Sequence, residues 1–395
     1  MAVTETTTVG WGERLGSSIK GVLFGLILFV IGIPVLFTNE SNYANTAKAL
    51  NEGEDVCIEV DSPATVDPEM DGKLVHMTGM ADTKEVLSDD AFGVSVTAIR
   101  LERKVEMYQW IEESRSQKKK KLGGGEDTVT TYTYTTDWVE NAIDSSRFNE
   151  SGHDNPGVME FTSDKTLAGN VSFGAFNLNP GQIERIGSAQ DYKFPTNFVC
   201  KVDRVKVSGT TIYVPNAETR NNPLNNRDVA SQARIGDMRV KFSVIYPHNI
   251  SIVAKQRGDS FVGYTAKSGK GKKVDLLANG IKDAAEMFAA ARSGNSMFTW
   301  FFRIGGFVLM FLGLSMVLKP LSVIADVLPI LGDIVEIGAG IVAFVIALVC
   351  AFVTIAIAWL FYRPEVAIPL LAAAGGLVWW LKLKKKKKAN AITPV

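Results

Sequence analysis

Histidine and cysteine are scarce: only three of each stand among 395 residues. His76, His153 and His248 lie far from one another and from Cys57, Cys200 and Cys350. None of the short spacings that gather His and Cys ligands around a metal therefore occurs. HExxH, a paired CxxC and the Gly-x-Ser-x-Gly nucleophile elbow are missing as well. "SGKGKK", Ser268 to Lys273, lacks the Gly-x4-Gly-Lys-Ser/Thr frame of a phosphate loop and is expected to be a flexible basic turn. No cofactor is implied. Net charge is lacking too, because Lys plus Arg and Asp plus Glu both total 42. Nucleic acid is excluded as a main target on that balance, since neutralising phosphates needs a basic surface excess.

Apolar residues are present in long, separated runs. They cover Ile19–Phe37, Phe298–Leu318, Ile337–Tyr362 and Val366–Leu381. A helix rises about 1.5 Å per residue and a bilayer core is roughly 30 Å thick, so about 20 residues span it. The first three runs fit; the fourth is short and depends on flanking lysines that can snorkel. No small-x-small cleavage pattern follows the first run, which therefore reads as a retained anchor and not as a signal peptide. Four transmembrane helices are expected. The fourth runs into Lys382, Lys384, Lys385, Lys386, Lys387 and Lys388, a cluster expected to remain cytoplasmic. Both termini then lie in the cytoplasm, with residues 38–297 on the far side. The same lysines suit anionic lipid headgroups, or serve simply as a stop-transfer flank.

The 38–297 region alternates apolar and polar residues at the period of half-buried strands, as in Lys73–Ala81, Phe92–Trp110 and Asp237–Tyr246. "KVEMYQWIEES", from Lys104, and Thr128–Glu140 flank "QKKKKLGGGED" and are expected to form an antiparallel hairpin with a solvent-exposed loop. Val105, Met107 and Ile111 would supply core. Glu106, Tyr108, Trp110 and Glu112 would share the other face, Tyr108 and Trp110 as an aromatic pair, amphipathic enough for a protein contact or an inter-domain seam. Helical spacing appears at about 274–292, and residues 319–336 look like an interfacial link on the cytoplasmic side. Cys57 and Cys200 could form a disulfide in an oxidising compartment or remain free buried thiols. Arg303, one turn into the second span, is expected to snorkel, and no buried ionisable residue is evident in the spans.

The fold class that results is an α+β membrane protein. It has a 1–18 segment, spans at 19–37, 298–318, 337–362 and 366–381, a basic 382–395 tail, and a large β-rich luminal or periplasmic domain between the first and second spans. "LFTNE", "KLVHMTG", "LSDDAFGV", "RKVEMYQWIEE", "IGDMRVKFS", "AKQRGDSFVGYTAKSG", "NSMFTWFFRIGG" and "WLFYRP" follow one another over about 330 residues. In order and spacing they resemble the LUMA family, also called transmembrane protein 43. The resemblance implies four spans, a large luminal loop and no established catalysis. In animals it implies the endoplasmic reticulum and inner nuclear membrane, self-association, and contacts with emerin and lamins. In a bacterium the chain would sit in the cytoplasmic membrane. The threonine-rich N-terminus and polylysine tail depart from the animal pattern, which bears on the nuclear partners more than on the architecture. The function expected is a non-enzymatic scaffold that self-associates and organises its membrane or other membrane proteins. The alternatives are a pore component, disfavoured because no span carries a polar stripe, and a lipid- or peptide-acting enzyme built on hairpin acids such as Glu106 and Asp137.

Overall fold

The computed structural model of the chain describes residues 2–217, 220, 228–369 and 372. The elements that position the site are β1 (Ala2–Val9), α1 (Trp11–Val56), β2 (Leu74–Asp82), β3 (Arg100–Lys120), β4 (Glu126–Val139), β5 (Thr211–Val214), β6 (Met238–Ile245), β7 (His248–Arg257), β8 (Leu276–Asn279), α2 (Ala284–Ala325) and α3 (Pro329–Tyr362).

Two antiparallel-rich sheets make the β region. In the larger the order runs β1–β4–β3–β6–β5; in the other β8, β7 and β2 lie side by side, and two further sheets of two short strands each complete the described β structure. β3 and β4 form the expected hairpin, with Tyr108 opposite Trp138, Trp110 opposite Thr136 and Glu112 opposite Tyr134. β6 continues the sheet, Val240 opposite Val105. Strict alternation puts Val105 and Met107 of β3, and Val240, Phe242 and Val244 of β6, into one buried core with Phe92, Phe173 and Phe261. Gln109, on the same face, is fully buried because its amide spans residues 139–143: it donates to the Asn141 carbonyl at 2.8 Å and accepts from Ile143 N–H at 2.9 Å.

Three helices among the described residues are long and apolar enough to cross a membrane. They carry outward-facing apolar residues, such as Leu23 (68% exposed), Phe301 (70%) and Phe361 (71%), as lipid-facing helices do. The helices are longer than the apolar runs: α1 has 46 residues, about 70 Å at 1.5 Å each. α1 and α2 approach closely on small residues. A Cβ on Gly313 would sit 2.5 Å from the Gly25 carbonyl oxygen, and one on Gly32 2.6 Å from Met310. At the domain end, Ala49 and Leu50 of α1 and Met287 and Phe288 of α2 are buried with Leu74 and Val253 of the second sheet. Helices and sheet therefore share a core.

Several expected boundaries move. The helix expected at about 274–292 begins only at Ala284 and runs unbroken to Ala325, so the expected span and the start of the interfacial link, 319–325, are one helix. Residues 276–279 instead extend the second sheet, Leu277 opposite Ile252. Gly280, at φ +81°, ends the strand, and Asp283 caps the helix by accepting from Glu286 N–H at 2.7 Å. Residues 326–328 are a turn, and the rest of the link, 329–336, opens α3. The fourth expected span and the 382–395 tail lie almost wholly outside the described residues.

The hairpin is also longer than expected, its first strand running from Arg100 to Lys120. Its tip, assigned with the rest of 38–297 to the far side, reaches the end of the bundle that holds residues 1–18 and the α2–α3 turn. A 21-residue strand at about 3.3 Å per residue is long enough to run the length of the helices. β1 pairs with β4, Val9 opposite Glu126, and so joins the N-terminus to the same ribbon.

Candidate functional site: charge junctions at the two ends of the helix bundle

At the domain end the three helices meet at Glu40. It is fully buried, and Arg303 of α2 grips it from two nitrogens, Nε at 2.6 Å and Nη2 at 2.8 Å. Trp359 of α3 donates its indole N–H to the same carboxylate at 2.8 Å. The Arg303 guanidinium in turn lies 4.9 Å from the Trp300 ring centre and 5.8 Å from that of Trp359. Beside it, the Asn39 amide donates to the Thr299 carbonyl at 3.1 Å. Removing two charges from water is costly, and the cost is offset only where the geometry is good and the remaining lone pairs are filled. The fork of Arg and the indole fill them here.

Arg303 was expected to snorkel to the surface and does not, because a buried carboxylate one helix away gives it a better partner than interfacial water. Glu40 is the residue that sequence reasoning missed. The available signal was an acid three residues beyond the first apolar run, facing an arginine just inside the next one in an antiparallel pair. "LFTNE", "NSMFTWFFRIGG" and "WLFYRP", three of the blocks that carry the family resemblance, each contribute one member of this junction.

At the opposite end, Lys120 at the hairpin tip contacts Asp326, Asp333 and Glu336 at 2.8, 2.9 and 2.8 Å. Burial would lower the lysine's pKa, but the three carboxylates outweigh it and hold the ammonium well above its usual range. Arg14, 8% exposed, pairs with the buried Asp326 at 2.6 Å and donates to the Gly124 carbonyl at 2.5 Å. Gly123 N–H donates to the Val327 carbonyl at 3.1 Å and the Trp11 indole to the Val323 carbonyl at 2.8 Å. The lysine loop expected to be free in solvent is thus partly locked down. Lys118 remains exposed at the rim of an open cleft of 760 Å³ lined by both signs of charge.

The expected interaction face is brought together and stays half-buried, with the chain's own residues 149–155 against Trp110 and Glu112. Glu106 takes the Arg239 guanidinium at 2.5 Å, and Arg239 lies over Trp138. Burial would raise the Glu106 pKa; Arg239 and Lys104 reverse that and hold it below the usual carboxylate range. Glu112 accepts from Tyr134 O–H at 2.5 Å and Asn149 N–H at 2.6 Å. Asn155 bonds both backbone groups of Trp110. Tyr108 and Trp110 do not pair with each other. Tyr108 meets Trp138 at 5.3 Å and Trp110 meets His153 at 4.6 Å, since cross-strand and covering neighbours lie closer than i, i+2 on one strand.

Cys57 and Cys200 are free thiols packed on different clusters, Cys57 at the helix–sheet seam and Cys200 on the main core. Burial, with Glu59 and Glu54 nearby, pushes the Cys57 thiol up to about 11, and burial raises Cys200 as well. Lys382 and Lys384–Lys388 lie outside the described residues. Among those described, no group of three or more His, Cys, Asp or Glu could hold a metal ion.

The family model for transmembrane protein 43 matches residues 107–364. Transmembrane protein 43 of Rattus norvegicus is 34% identical over 373 residues, 92% of this chain and 89% of its own. The Homo sapiens protein of that name is 33% identical over 383 residues, covering 94% and 92%. The Transmembrane protein 43 homolog of Drosophila melanogaster is 28% identical over 378 residues, covering 94% and 96%. No solved structure matches. The matched region contains the hairpin, Arg303 and Trp359, and on these grounds the chain belongs to the transmembrane protein 43 family, whose members are membrane proteins.

Proposed function

We propose that this protein is a non-enzymatic multi-pass membrane scaffold, which self-associates and organises neighbouring membrane proteins. One observation carries the reading: the β-rich region is fixed to the helix bundle at both ends, by the shared core and Glu40 junction at one and the Lys120 network at the other. Buried, fully partnered charge suits a rigid mount that presents surfaces, whereas a catalytic group needs access to substrate. The compartment follows from the source: endoplasmic reticulum or inner nuclear membrane in an animal, with emerin- or lamin-type partners there alone, and the cytoplasmic membrane in a bacterium. Size-exclusion chromatography with light scattering, run in detergent and in native-lipid nanodiscs, tests the proposal. Discrete oligomers or a stoichiometric co-purifying membrane protein are expected. A strict monomer in both, with no partner, overturns it.

A further inference from the structure

The SGKGKK turn expected to be flexible is instead a seated loop. Glu52 of α1 accepts from Lys267 N–H at 2.9 Å, from Ser268 N–H at 2.6 Å and from Tyr264 O–H at 2.9 Å. Ser268 O–H donates to the Lys48 carbonyl at 3.1 Å. Gly269 lies so close to α1 that a Cβ there would sit 2.6 Å from the Ala49 methyl and 2.7 Å from the Asn45 carbonyl oxygen. Only glycine fits, and the loop is pressed onto the helix.

This seating delivers cations to the point where the apolar belt ends. Lys270 Nζ stands 5.0 Å from the Tyr362 ring centre, and Lys48 Nζ donates to the Tyr362 carbonyl at 3.3 Å. Arg363 lies over Tyr43 at 5.2 Å, and Lys272 reaches the Asn42 amide oxygen at 3.1 Å. Opposing charge is thin: Glu52 is saturated by the loop, and Glu365 is 3.9 Å from Arg363. The contacts of Lys48, Lys270 and Lys272 are instead with a carbonyl, an aromatic ring and an amide oxygen. Directly below, Phe361 is 71% exposed and edges onto Phe37, itself within the first apolar run.

We propose that Lys48, Lys270, Lys272 and Arg363 form a binding site for the headgroup of an anionic phospholipid, in the leaflet that faces the β-rich region. Three features identify the occupant. Tyrosine and tryptophan at the end of a lipid-facing helix mark the headgroup level. Clustered cations at that level attract acidic lipid. A loop already ordered by Glu52 and Gly269 adds little ordering cost on binding. The acyl chains would lie along the exposed face of α3. None of its residues belongs to the lysine tail at 382–388, and it does not depend on self-association.

Native mass spectrometry of the full chain tests it, in a background where Lys382 and Lys384 to Lys388 are each changed to Gln so that the tail cannot report. The probes are dioleoyl phosphatidylglycerol, dioleoyl phosphatidylcholine and inorganic phosphate. The expected result is retention of phosphatidylglycerol over phosphatidylcholine. Lys48→Gln/Lys270→Gln/Arg363→Gln should weaken that retention tenfold or more at low salt, since each cation near an anionic surface contributes about a fivefold factor. The unfolding temperature in phosphatidylcholine should be unchanged. Should the triple variant misfold, Lys270→Gln alone, at an exposed position, should still cost about fivefold. Equal retention of the two lipids, unchanged retention in a folded variant, or equally strong binding of inorganic phosphate would each overturn the proposal.

Discussion

Glu40 shows how much one side chain can decide in a low-dielectric setting. Inside the bundle Arg303 and Trp359 supply its carboxylate with three donors. Glu40→Gln leaves the guanidinium buried without its counter-charge, and breaking such a pair from one side costs about 3 kcal/mol or more. Thermal unfolding in nanodiscs should register that loss. The double variant Glu40→Gln/Arg303→Gln should recover at least half of it, because no unpaired charge is left. Equal destabilisation by the single and double variants would show that packing, and not charge, holds the junction. The residue was hard to find from sequence for a physical reason. An acid beside a span ordinarily sits in headgroup water, and only the antiparallel packing of α1 on α2 places it opposite an arginine 263 positions away.

Individual elements follow local chemistry closely. The alternation in residues 104–112 and 128–140 predicts the β3–β4 hairpin, and the pairing of Tyr108 with Trp138 bears this out. Apolar length predicts the three helices. Their true ends were less legible, because polar residues outside a bilayer continue a helix wherever caps allow it. Close packing between elements rests on glycine. Gly313→Val would force a side chain into the Gly25 carbonyl, 2.5 Å from the Cβ position, and so push α1 from α2. The expected cost is about 2 kcal/mol, read as a lower unfolding temperature. Gly305, with nothing within 4 Å of its Cβ position, is the control: Gly305→Ala should be neutral or slightly stabilising. Similar losses at both positions would mean that helix propensity, and not the seam, sets the effect.

The whole molecule is held by contacts between distant segments. The hairpin tip, the N-terminal turn of α1 and the α2–α3 turn converge on Asp326, whose side chain is 1% exposed. Lys120 and Glu336 touch at 2.8 Å, so a zero-length carbodiimide crosslink between them should form in intact membranes and vanish in Lys120→Gln. Peptide mass spectrometry checks this. No crosslink in the parent would place the hairpin tip away from the turn when lipid is present. The same long-range convergence lays Asn149, His153 and Asn155 against Trp110 and Glu112, and leaves that face half-buried.

The sequence by itself determined the class of this protein: apolar runs of span length, a β-rich region of alternating strands between them, a hairpin, and the order of blocks that marks the family. These are local properties, set by the periods of helix and strand and by the cost of exposing an apolar run to water. Tertiary structure alone decided which charges are buried and which are free. Glu40 and Lys120 look like ordinary solvated residues until a helix or a turn from elsewhere in the chain excludes water from them. The turn at Ser268 looked mobile until α1 supplied Glu52 to hold it. Electrostatics depends on distance and on the surrounding medium, and neither is written in the spacing of residues along one segment.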